Sequence, residues 1–132
     1  MSQPDATPAR RVILVSVDLL ASSQLHGVTQ AAGLELDVLG PAGLLASAEA
    51  APPALVIFDL TTPLDDLPGT VAALKSLTPP PAVVAFGPHV QGARLEAAAD
   101  AGCDAVLTRG QFHRSSAEVL ARYASAEGGG AP

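Results

Sequence analysis

The order of segment types constrains this chain more than any single motif. Five short runs rich in β-formers, at residues 12–17, 34–39, 54–60, 82–86 and 105–108, alternate with stretches of helical spacing. The first, third and fourth runs are almost unbroken in Val, Leu, Ile, Ala and Phe, as strands covered on both faces are. The second, Leu34-Glu-Leu-Asp-Val-Leu39, alternates, which suits an edge strand with one wetter face. Between the runs, Leu25, Val28 and Ala32, then Leu67, Val71 and Leu74, then Leu95, Ala98 and Ala99, then Val119, Leu120 and Tyr123 form helical stripes. Residues 41–50 read as a shorter helix, in which Gly43 costs about 1 kcal/mol relative to Ala. Asp66 ahead of Leu67-Pro68 predicts an N-cap followed by an early-turn proline. Ser115-Ser-Ala-Glu118 has capping-box spacing. Pro52-Pro53 and Pro79-Pro80-Pro81 stop the second and third helices before the next strand. Strand followed by helix, five times, predicts right-handed crossovers and one parallel sheet with helices on both faces.

The 132 residues suffice for one domain with a real core, and 48% of them are hydrophobic. Only 3% are aromatic, so Val, Leu, Ile and Ala must build that core. Cys103 is the single cysteine, which excludes an internal disulfide or a Cys-rich zinc site. The formal net charge is −6 and the basic residues are scattered, a pattern that excludes a nucleic-acid surface. No basic-then-apolar leader and no membrane-length apolar stretch is present, so a cytoplasmic protein is expected. Residues 1–10 are expected to form a flexible arm, residues 11–124 the domain, and the Gly-rich residues 125–132 a flexible tail.

In such sheets ligands bind beyond the carboxyl ends of the strands. The residues there are Ser16, Val17 and Asp18, then Asp59 through Pro63, then Phe86 and Gly87, then Arg109 and Gly110. The segment Ala54-Leu-Val-Ile-Phe-Asp59-Leu-Thr-Thr-Pro63 resembles the third strand and following loop of bacterial response-regulator receiver domains. Ala101-Gly-Cys-Asp-Ala-Val-Leu-Thr-Arg109 is similar to that family's Ala-Gly-Ala-Asp-x-x-x-x-Lys segment. The likeness covers roughly residues 11 to 124 in order and spacing. It implies a CheY-like, flavodoxin-like three-layer sandwich: a doubly wound five-stranded parallel α/β sheet of strand order 2-1-3-4-5. It also implies a role in two-component signalling, with Asp59 at the phosphoacceptor position.

The departures from the family pattern bear on function. Val12-Ile-Leu-Val-Ser-Val-Asp18 places Ser16 and Val17 where the family carries an acidic pair, with Asp18 one residue later. Magnesium wants near-octahedral oxygen ligands at about 2.0–2.1 Å, usually carboxylates plus phosphate. Ser and Val do not replace two carboxylates, and strand alternation turns Asp18 to the face opposite Val17. Phe86 stands where the family has a Ser or Thr hydroxyl, and it crowds the pocket. Val106 stands for the switch aromatic on the fifth strand. Arg109 keeps the charge of the family's Lys but changes its geometry. Gly110 replaces the following proline; a trans peptide and a reshaped loop are expected, because a cis bond there costs about 2.5–4 kcal/mol. Only the acceptor aspartate is retained in kind.

The reading is therefore a degenerate receiver, or pseudo-receiver, that is not an enzyme. It acts mainly through phosphorylation-independent protein–protein interaction, and Mg²⁺ binding is expected to be weak or absent. Asp59 is then a carboxylate paired with Arg109. The expected partner face is the fourth helix, fifth strand and fifth helix, with Arg94, Glu96, Val106, Arg114, Glu118 and Arg122. Homodimerisation through that face is a further expectation. One alternative is a working but atypical phosphoacceptor receiver using Asp59, with Asp18 for the metal and Arg109 for the Lys. Another is a small-molecule or nucleotide binder on a flavodoxin-like fold, although the loop after the first strand has no Gly cluster. His26, His89 and His113 are far apart and carry no metal-ligand spacing; His89 alone falls in a loop near the site. Cys103 is expected to be a buried, inert thiol.

Overall fold

The computed structural model describes residues 10–124. The expected arm and tail otherwise lie outside the described residues. Arg10, assigned above to the arm, is part of the body: its Nε donates to the Ala124 carbonyl at 3.2 Å.

The elements run β1 (Arg11–Val15), α1 (Leu19–Ala31), β2 (Glu35–Leu39), α2 (Pro41–Ala50), β3 (Leu55–Asp59), α3 (Leu67–Lys75), β4 (Ala82–Gly87), α4 (Gly92–Asp100), β5 (Ala105–Thr108) and α5 (Arg109–Tyr123). All neighbouring strands are parallel, in the order β2-β1-β3-β4-β5. This is the doubly wound α/β fold expected from the alternation. The three central strands are buried on both faces, which is why their sequences are continuous apolar runs. The edge strand β2 is half wet, as its Glu35 and Asp37 require.

Pleat alternation divides the strand residues between two cores. Val12, Leu14, Leu55, Ile57, Val84 and Phe86 pack under α1 and α5 with Leu25, Phe112 and Leu120. Ile13, Val15, Val56, Phe58, Val83 and Ala85 pack under α2, α3 and α4 with Leu44, Leu74 and Ala98. Continuing the same parity, Ser16 and Asp59 fall on the α1/α5 side, at the carboxyl end of the sheet.

Local signals were honoured unequally. Asp66 caps α3, accepting from Gly69 N at 3.0 Å. The Ser115–Glu118 capping box does not form. The helix is already nucleated upstream, where Thr108 and Gln111 make a reciprocal box. Ser115 instead marks a kink, with φ −121° and ψ 19°, and its hydroxyl donates back to the Gln111 carbonyl. The Arg109–Gly110 peptide is trans, but no reshaped loop follows β5, because α5 starts at Arg109 itself.

Candidate functional site

Asp59 ends β3 with its side chain wholly buried. A buried carboxylate must be compensated by donors. Its Oδ2 accepts from Ser16 Oγ at 2.8 Å. Its Oδ1 accepts from Thr61 N at 3.0 Å and Thr61 Oγ1 at 2.7 Å. Arg109 Nη2 lies 3.5 Å from the same Oδ1. A carboxylate only accepts, so the Ser16 and Thr61 hydroxyls spend their hydrogens on Asp59. Ser16 Oγ in turn accepts from Asp18 N at 3.0 Å. The expected Asp59–Arg109 pairing is present, but it is the long member of the set. The short contacts come from neutral hydroxyls.

The position of Asp18 corrects the expectation. Alternation turns Asp18 away from Val17 and so toward the Ser16 side, and the strand itself ends at Val15. Beyond that point the chain turns, and Asp18 becomes the N-cap of α1, accepting from Leu20 N at 2.9 Å. Its other oxygen, Oδ2, is 3.7 Å from Arg109 Nη1. Asp18 therefore does reach the site, with Arg109 standing between it and Asp59. Val17 does not: its side chain is 69% exposed. Only its backbone takes part, donating to Thr62 Oγ1 at 3.3 Å.

Phe86 sits opposite Asp59 in the β3–β4 register. Its ring is fully buried and lies parallel to Phe112 of α5, with centroids 4.4 Å apart. The Arg109 guanidinium rests 5.3 Å from the Phe86 centroid. A phenyl floor thus holds the arginine by cation–π attraction and packs the place where a hydroxyl was sought. Val106, at the switch-aromatic position, is half-buried against the α2/α3/α4 core.

On the expected partner face, Glu96, Arg114, Glu118 and Arg122 are exposed. Arg94 is exposed too, but its Nη1 donates to the Leu60 carbonyl at 2.7 Å, so its head turns toward the β3–α3 loop. His89 is exposed in the β4–α4 loop. The Cys103 thiol is pushed up to about 11, chiefly by burial, with Asp104 adding and Lys75 opposing. Among the described residues no three His, Cys, Asp or Glu side chains come together as a metal-binding group. None of the described helices is long and apolar enough to cross a membrane.

Sequence reasoning placed Thr61 and Thr62 at the carboxyl end of the third strand without giving either a role, and it passed over Phe112. Thr61 and Thr62 carry a readable signal, hydroxyls two and three residues after an Asp, the pattern of side chains that bond the local backbone. Phe112 carried none, since its stacking on Phe86 is a tertiary event.

The fold is that of response-regulator receiver domains. The chain matches the chemotaxis response regulator CheY4 of Vibrio cholerae with a TM-score of 0.72 and 16% identity, over 87% of this chain and 98% of that one. A response regulator from Hahella chejuensis gives 0.75 and 16%, over 87% and 95%. The Mn²⁺-bound form of response regulator Rcp1 gives 0.67 and 18%, over 89% and 96%. No protein-family model and no curated protein sequence gives a significant match.

Proposed function

We propose that this chain is a receiver-fold signalling module that works through protein–protein contact and does not depend on phosphorylation of Asp59. One observation carries this reading: Ser16, standing where the resemblance expects a metal-holding carboxylate, donates its hydroxyl to Asp59 itself at 2.8 Å. Phosphoryl transfer relies on a metal and a cationic clamp to stabilise charge in transit. Here the groups facing Asp59 are two donating hydroxyls and a fixed guanidinium. That donor set does not fit a divalent cation. The hydroxyls and Arg109 tie the β1–α1 and β3–α3 loops together directly.

In this reading the module is a non-catalytic component of a cytoplasmic signalling pathway, with neither nucleic acid nor membrane as its target. The exposed Glu96, Arg114, Glu118 and Arg122 of the α4–β5–α5 side give a mixed-charge face suited to a specific, salt-sensitive protein partner.

Asp18 supports a second reading. Its carboxylate reaches Arg109, so a shift of that arginine would leave two carboxylates near one another and an atypical phosphoacceptor within reach. Incubation with a small-molecule phosphodonor and Mg²⁺, followed by intact-mass measurement, separates the two. The first reading expects no phosphoryl adduct. Ready gain of one phosphoryl group, lost in Asp59→Asn, would establish the second.

A further inference from the structure

We infer that the recess between the β3–α3 loop and α4 is a binding site for a free α-amino acid with an apolar side chain. The recess measures about 340 Å³. That is the small end of the range for ligand pockets, about 300–1,000 Å³, so it admits an amino acid and not a nucleotide. Its apolar surface comes mainly from Leu60, Leu64, Leu67 and Ala97. The back wall is fixed. Leu60 is buried, its N–H donates to the Phe86 carbonyl at 2.9 Å, and a Cβ on Gly87 would stand only 3.2 Å from that of Leu60. A recess walled in this way is ready before any ligand arrives, which lowers the cost of binding.

Three polar side chains border the same recess: Thr62, Asp65 and Arg94. Thr62 is 1% exposed. Its Oγ1 accepts from Val17 N, and among the described residues the hydroxyl itself donates to nothing. Arg94 has five N–H bonds to give, and its one acceptor among the described residues is the neutral Leu60 carbonyl at 2.7 Å. Arg11, Lys75 and Arg109 all find carboxylates, whereas neither Arg94 nor Asp65 takes part in an ion pair among the described residues. Two opposite charges therefore edge one apolar recess, are not joined to each other, and each lacks a counter-charge.

That charge pattern selects the ligand. A simple anion meets Arg94 but is repelled by Asp65 and by Asp66 beside it, and a simple cation is repelled by Arg94. A zwitterion satisfies both ends. Its carboxylate accepts from Arg94 and the Thr62 hydroxyl, its ammonium donates to Asp65, and an apolar side chain covers the leucines. Because the rim is open to water, each charged contact contributes about a factor of ten, and the expected dissociation constant is on the order of 0.1–1 mM. The recess shares its loop with the Asp59 network: Leu60 and Thr62 flank Thr61, which holds Asp59 Oδ1. An occupied recess thus gives the module an input other than a phosphoryl group. That consequence rests on the function proposed above; the binding itself does not.

The test is backbone amide NMR of the full chain during titration with L-leucine to about ten times the expected dissociation constant. Three further probes each lack one part of it: 4-methylpentanoate has no ammonium, 3-methylbutylamine no carboxylate, and glycine no apolar side chain. Saturable shifts at the Leu60, Thr62, Leu64, Asp65, Arg94 and Ala97 amides with L-leucine, and binding about tenfold weaker or more for each of the other three, support the inference. Asp65→Asn and Arg94→Gln change exposed side chains, so both should fold, and each should weaken L-leucine about tenfold. Absence of saturable shifts with L-leucine overturns the inference. So does 4-methylpentanoate or 3-methylbutylamine binding as well as L-leucine, since the recess would then be an apolar slot that reads no charge pattern. Saturation confined to amides elsewhere in the chain overturns it too. The phosphodonor experiment on Asp59 reads a different quantity, so failure of one reading leaves the other standing.

Discussion

Replacing Ser16 by Ala removes one oxygen and leaves the rest of the pocket in place. Ser16 is 5% exposed and Asp59 fully buried, so water cannot readily take over the vacated bond. Asp59 Oδ2 then loses its partner, and the backbone N–H of Asp18 loses its acceptor. A hydrogen bond to a charged group contributes about 1.5–3 kcal/mol, and an orphaned buried acceptor costs its full desolvation. Because Oδ1 keeps both Thr61 donors, about 2 kcal/mol is the expected loss. For a domain of this size that lowers Tm by roughly 6–10 °C. Urea denaturation and calorimetry both read it. A double-mutant cycle with Asp59→Asn should show that most of the loss is coupling between the two residues. If Ser16→Ala unfolds within about 0.5 kcal/mol of the parent, the hydroxyl is not what compensates the buried carboxylate, and the reasoning fails.

Other consequences are read by similar means. Phe86→Ala removes a fully buried ring and its stack on Phe112, and should cost about 3–5 kcal/mol in urea denaturation. Asp66→Ala removes the side chain that caps α3 and should cost about 1 kcal/mol; an unchanged midpoint would show that the cap contributes nothing. The Cys103 thiol titrates at about 11 in the folded chain against 9.0 as a free side chain. Its contribution to stability is therefore complete below pH 9 and falls away as pH rises toward 11, because the unfolded thiol ionises first. For the same reason alkylation of Cys103 at pH 8 should be slower in the native protein than in urea, and equal rates would contradict its burial.

The layout of the fold was legible because the strands report their own burial. Continuous apolar runs identified β1, β3 and β4 as central, and the alternating Leu34–Leu39 run identified an edge, before any pairing was known. The site was legible in part. Asp59, Ser16, Phe86 and Arg109 were found by position, since all follow strands at the carboxyl end of the sheet. Their couplings were not, for a physical reason in each case. Asp18 was misplaced because facing away from Val17 was read as facing away from the site, whereas that is the side of Ser16 and Arg109. The Ser115 box was misread because two capping signals competed, and the upstream Thr108–Gln111 pair took the helix start. The stack of Phe86 on Phe112 joins residues of different elements, and periodicity carries no information about such a contact.

The hydroxyl-and-arginine network around Asp59 is proposed to take the place of a divalent ion. Backbone amide NMR during a Mg²⁺ titration to millimolar concentration addresses this at the residues concerned. The proposal expects the Ser16, Asp59, Thr61 and Arg109 amides to show no saturable shift. Saturable shifts confined to those amides, abolished in Asp59→Asn, would show that the pocket holds the ion after all.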